Sequence, residues 1–118
     1  MRIQIFVVKT EKPNAQVLEH LRKTLVKMFK GLSIIPSVRG YWVNDKGKEE
    51  KDKVEIWEIY TKNIGYNHEE FTDIMKQIKT VTKQSVQAVG INNDMNMYED
   101  DMNMYVEPHE QPIQVLLG

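Results

Sequence analysis

The chain has no cysteine. Disulfides, thiol nucleophiles and thiolate-held metals are therefore excluded. The absence fits a reducing compartment, and a cytoplasmic setting is expected. Glycine is scarce, with six residues scattered along 118. None forms GxGxxG or GxxxxGK[ST], so no phosphate-cradling loop is encoded, and GxSxG is missing too. No apolar run approaches the roughly 20 residues that cross a bilayer. The opening Met1-Arg2-Ile3-Gln4-Ile5-Phe6-Val7-Val8 is too short and polar for a signal peptide and reads as a first strand.

Lys and Arg are absent from residues 84–118, which hold six Asp/Glu. Residues 1–83 hold all 16 Lys/Arg against 11 Asp/Glu, a balance of +5. The net charge of −1 hides this division. An acidic C-terminal third beside a basic body points to contact between them, within one chain or between copies.

Ile3, Ile5 and Val7 alternate, as one face of a strand requires. Pro13 and Asn14 open a helix. Leu18, Leu21, Leu25, Met28 and Phe29 recur at helical spacing, with Val17 and Val26 beside them, and Gly31 is placed to end it. Leu32, Ile34, Val38 and Trp42 then share one parity of an extended segment. Pro36, which cannot donate to a ladder, predicts an edge strand or a bulge. Asn44-Asp45-Lys46-Gly47 is a turn, and the charged run 48–53 reads as a solvated hairpin tip. The return strand spans 54–60. Its mixed parity predicts a bulge near Ile56–Trp57 or burial of both faces.

Asn67 with Glu70 three residues on is a capping-box start. Phe71, Ile74, Met75, Ile78 and Val81 give the second helix its inward stripe. A closing strand is read over 85–91. The order strand, helix, hairpin, helix, strand predicts an α+β domain over residues 1–92, an antiparallel sheet with two helices on one face. Residues 93–118 read as an acidic, Met-rich extension docking on its own or a neighbouring subunit. In it Asp-Met-Asn-Met-Tyr occurs twice, at 94–98 and 101–105. An extra C-terminal strand is expected over 113–117.

Two helices cover one sheet face only. The leftover set draws on Phe6, Val8, Ile35, Tyr41, Val43, Trp57, Ile59, Val89 and Ile91, a patch that predicts a homo-oligomer. Candidate chemistry is sparse. His20, His68 and His109 lack metal-ligand spacing, and the Asp94 loop fails the EF-hand pattern, since Glu99 stands where glycine is required. No metal, cofactor or catalytic residue is assigned. Arg39-Gly40-Tyr41-Trp42-Val43 begins like the RNA-binding segment of an RRM but departs after the aromatic. With a pI near 6.3, nucleic acid is set aside.

The aromatic and basic residues Arg39, Tyr41, Trp57, Tyr60 and Lys62 suggest a ligand site, with rings to stack and cations to meet an anion. The resulting expectation is a non-enzymatic, oligomeric protein that binds a small nucleotide-like anion between subunits. The alternative is a protein-interaction module that uses the acidic tail. No membrane partner is expected.

The hairpin resembles that of the CutA-type divalent-cation-tolerance proteins. Ile34-Ile35-Pro36, Tyr41-Trp42, Gly47-Lys48 with Glu49-Glu50, and the strand 54–60 closing in Thr61-Lys62 carry the likeness. It implies a ferredoxin-like β-α-β-β-α-β fold and a trimer closed by sheet edges. The family's cysteine before the hairpin is replaced by Gly31-Leu32-Ser33, so its metal binding is not carried over.

Overall fold

Seven residues of β1, Arg2–Val8, form the central strand of the computed structural model, which describes residues 1–62 and 65–99 and the backbone of Tyr105–Val106. The elements that follow are α1 (Asn14–Phe29), β2 (Ser33–Val43), β3 (Glu49–Tyr60), α2 (His68–Val81), β4 (Val86–Ile91), β5 (Asp94–Glu99) and β6 (Tyr105–Val106). The sheet order is β2-β3-β1-β4-β5-β6, with every neighbouring pair antiparallel. Its first four strands and two helices make the ferredoxin-like α+β arrangement that the element order predicts.

Ile3, Ile5 and Val7 face the helices and are sealed from solvent. Their cross-strand partners share that face, so Ile59 and Trp57 on β3 and Val89 on β4 join them. The helices answer with Leu18, Leu21, Leu25 and Phe29, and with Phe71, Ile74, Met75 and Ile78. Phe29, Tyr66, Phe71 and Tyr98 meet edge-on or tilted, with centroids 5.2–6.2 Å apart. Burial pushes the Tyr66 phenol above its ordinary pKa. The leftover patch expected from sequence is thus corrected in part. Trp57, Ile59 and Val89 belong to the helix-side core, whereas Phe6 and Val8 lie on the open face.

Helix ends follow their local chemistry. Asn67 Oδ1 accepts the Glu70 N–H at 3.0 Å, the expected N-cap. Asn14 Nδ2 donates to the Val81 carbonyl at 3.0 Å and ties the start of α1 to the end of α2. At the C-terminus of α1 the left-handed residue is Lys30, φ 69°, rather than Gly31; its N–H returns to the Val26 carbonyl.

Pro36 sits on the sheet's edge strand and in a bulge. Ile35 pairs with Ile56 and Val38 with Val54, so β2 spends one residue more than β3 across that interval. Ser37 takes φ 60° there. The insertion reverses parity, and Val38 and Trp42 therefore face away from the side that Ile34 faces. The sequence pattern had grouped them together. The charged run is also not a loose tip. Residues 49–53 pair with 39–43 up to a turn in which Asn44 Oδ1 accepts the N–H groups of Lys46 and Lys48 and Gly47 adopts φ 77°.

β1 pairs with β3 over its whole length, but with β4 only from Ile3 to Ile5. Beyond Ile5 the two strands diverge. Gln87 bridges the gap: its buried Nε2 donates to the Phe6 carbonyl at 2.6 Å and to the Ala88 carbonyl at 3.1 Å. Replacing Gln87 by Leu leaves the Phe6 carbonyl without that donor. Denaturant unfolding should then show a loss of about 1–3 kcal/mol. Asn67→Ala removes only a cap, and a loss of about 1 kcal/mol with an unchanged m-value is expected.

Candidate functional site

β1 stops at Val8, while β2 and β3 run on as a two-stranded arm. Past that end, among the described residues, no strand separates the arm from β4. A concave cavity of about 290 Å³ opens there on the sheet face away from the helices. Phe6, Val8, Val54, Val86, Ala88 and Met97 supply its apolar floor. This follows from register, because Val8 pairs with Val54 and Ala88 with Met97, which puts each pair on one face. The other end of the same face is polar, closed by a chain in which Arg2 donates to Gln4 and Gln4 to Glu58, at 2.9 and 2.8 Å.

The walls carry the chemistry. Trp42 is half-buried, and its Nε1 donates to Asp52 Oδ2 at 2.8 Å. That bond fixes the indole plane beside the cavity. With Asp52, Asp45 at the arm's turn and Glu99 at the end of β5 make three carboxylates among the described residues of the lining, which include no Lys or Arg. Among the described residues the Asp45 and Glu99 side chains take no hydrogen bond or ion pair. Two unit charges 4 Å apart interact by about 4 kcal/mol at an effective dielectric of about 20. A cavity walled this way therefore attracts a cation and repels an anion. An indole face adds to the same preference.

The five residues read from sequence as an anion site are not assembled into one. Trp57 is 2% exposed and lies in the helix-side core, with Nε1 donating to Glu55 Oε1 at 2.8 Å. Tyr60 and Lys62 stand with Met1, Arg2 and Asn92 at one end of the sheet. Arg39 lines a separate cavity under the arm, opposite Lys53. Lys53 and Tyr60 are seven residues apart on one strand, about 23 Å. Tyr41 is exposed on the arm. Trp57, the indole expected from sequence at a ligand site, is in the core, and Trp42 is the one that lines the cavity. Trp42 and Trp57 both sit in alternating apolar segments, and only the bulge and the register decide which face each takes. From sequence Asp45 is a turn residue, Asp52 part of a solvated run and Glu99 the residue that breaks the EF-hand pattern; none is marked as a cavity wall. Among the described residues no group of three or more His, Cys, Asp or Glu is placed to hold a metal ion, and no helix is long and apolar enough to cross a membrane.

A scan of protein-family models and a search of curated proteins each return no match. Among solved structures the chain is similar to a phage SAM lyase in its apo state, with 15% identity and a TM-score of 0.49 over 90% of this chain and 83% of that one. That neighbour is an enzyme. The expectation of a non-enzymatic anion-binding protein, with an interaction module as its alternative, is corrected accordingly and dropped, and no activity is taken from the match.

Proposed function

We propose that the open-face cavity receives a small organic cation, an ammonium or sulfonium centre carried on an apolar or aromatic body. The observation that carries this is the lining itself, which among the described residues has one oriented indole, an apolar floor, three carboxylates and no Lys or Arg. The floor of Phe6, Val8, Val54 and Met97 takes the ligand's apolar part. The charged centre lies against the Trp42 face, between Asp52 and the carboxylates of Asp45 and Glu99.

Calorimetric titration with phenyltrimethylammonium and with SAM (a sulfonium bearing an aromatic base) checks this against uncharged and anionic compounds of the same shape. The cations should bind, and the uncharged analogue should be at least about tenfold weaker, given the charge term above. Trp42→Ala should weaken the cations by about two- to thirtyfold, the range of cation–π energies. Asp52→Asn keeps an acceptor for the indole N–H but removes the charge, and should weaken only the cations. Equal binding of the anion, or indifference to both substitutions, would refute the proposal.

A second reading concerns assembly. Ile34 and Ile35 are 42% and 40% exposed, and both lie on the first part of β2, an edge strand of the sheet, before the bulge that starts the arm. Exposed edges with apolar side chains invite pairing. We propose a homo-oligomer joined through this edge, with a trimer favoured by the hairpin's resemblance to CutA-type proteins. Light scattering should return about three times the 13.9 kDa chain mass, and Ile35→Lys should lower it. A wild-type mass equal to one chain at all concentrations would remove this reading.

A further inference from the structure

The two faces of the arm carry opposite charge. On the face turned from the onium cavity, Lys9, Arg39, Lys51 and Lys53 line one groove of about 440 Å³. The groove's lining also holds two carboxylates, Asp52 and Glu55, each accepting from an indole (Trp42 and Trp57) at 2.8 Å; both keep their charge, so four cations face two anions and the lining is net positive by two. Among the described residues no hydrogen bond or ion pair engages the side chains of the four cations. Glu49 shares this face further out, opposite Val43 at the arm's tip.

Register makes the cluster costly. Arg39 stands directly across from Lys53, a like-charge pair of the kind that destabilises a ladder. Lys9 is held beside them, because its N–H donates to the Lys53 carbonyl at 2.9 Å. Tyr41 alternates with Arg39 on the same face, is paired with Lys51, and is 44% exposed. The result is an elongated strip of four cations with an open aromatic ring among them. Aromatic platforms within basic tracks are how sheets hold unpaired bases and their phosphates.

We infer that this face of the arm is a second site, which binds the phosphate backbone of a single-stranded nucleic acid with Tyr41 stacking on a base. The acidic pI, which set nucleic acid aside at the level of sequence, averages over charges that the fold separates. The β5 carboxylates lie three strand spacings from β3, about 14 Å away. That exceeds the Debye length of about 8 Å at physiological salt. The groove therefore presents its own sign to a ligand. An extended strip with a stacking ring fits an unpaired strand better than a duplex, whose bases are hidden, or a short inorganic polyphosphate, which has no base.

The test is fluorescence anisotropy of the full chain with a labelled oligothymidylate of about 12 nucleotides, within the ~4–16 typical of single-strand sites. The slope of log K against log salt should be about −3, since each neutralised phosphate contributes about −0.7. Lys51→Ala and Lys53→Ala should each make it shallower by about 0.7. Tyr41→Leu should weaken binding about fivefold or more and leave the slope unchanged. All three residues are on the surface, and circular dichroism checks that the variants are folded. Three results would overturn the inference: no binding at low salt, equal affinity for the matching duplex, or full competition by tripolyphosphate together with indifference to Tyr41→Leu. The last would assign the groove to small polyanions instead.

Discussion

A central strand shorter than the hairpin beside it governs this molecule. β1 has seven residues, and β2 and β3 have 11 and 12. Every β1 residue from Arg2 to Val8 is paired with β3, so the surplus length of the hairpin falls at one end. The arm, the opening between the arm and β4, and the separate exposure of the arm's two faces all follow from that mismatch. The early parting of β1 and β4 widens the opening. Gln87 makes it tolerable, because a buried carbonyl left by a broken ladder would otherwise lack a donor. An amide side chain thus substitutes for a missing backbone N–H where two strands separate.

The two tryptophans show how position converts one chemical pairing into two roles. Trp57–Glu55 and Trp42–Asp52 are both indole–carboxylate bonds of 2.8 Å between residues on the same sheet face. Trp57 packs under the helices and contributes apolar burial, worth roughly 2–3 kcal/mol for a large side chain. Trp42 lies beyond the end of β1, where no helix reaches, and its ring remains available. Both carboxylates also line the basic groove, where they offset two of its four cations. Each carboxylate orients one ring and keeps its charge, so the groove retains a net balance of two positive charges.

The sequence made the fold legible because the fold rests on periodicity. Ile3, Ile5 and Val7 at period two, Leu18 to Phe29 and Phe71 to Ile78 at helical spacing, and Asn67 with Glu70 at the cap each specify an element locally. The site depends on relations that no local pattern contains. A single extra residue at Pro36–Ser37 decides which face Trp42 takes. Asp52 reads as one charge in a solvated run until its pairing opposite Gly40 sets it beside the indole. Arg39 and Lys53 lie 14 residues apart, and their opposition appears only with the register. The expected anion site failed because it joined residues by type and proximity in sequence. The sheet sends Trp57 inward and carries Tyr60 and Lys62 to the far end of their strand.

The acidic repeat illustrates the same dependence. Its two copies run in the same direction along the chain, but β5 and β6 pair antiparallel. Equivalent residues can then face each other at one register position only, and Tyr98 opposite Tyr105 is that position. The repeat is therefore not a symmetric pairing device. Its first copy instead divides between faces. Asn96 and Tyr98 turn toward the helices, where Tyr98 meets Phe71 at 6.2 Å, whereas Met97 turns to the open face and Glu99 follows it. The strand expected at 113–117 falls outside the described residues, and β5 is the strand that broadens the sheet past β4. Without β5 the cavity would lose one apolar wall and one of its three carboxylates. The acidic third of the chain thus contributes Met97 and Glu99 to the lining of the open-face cavity.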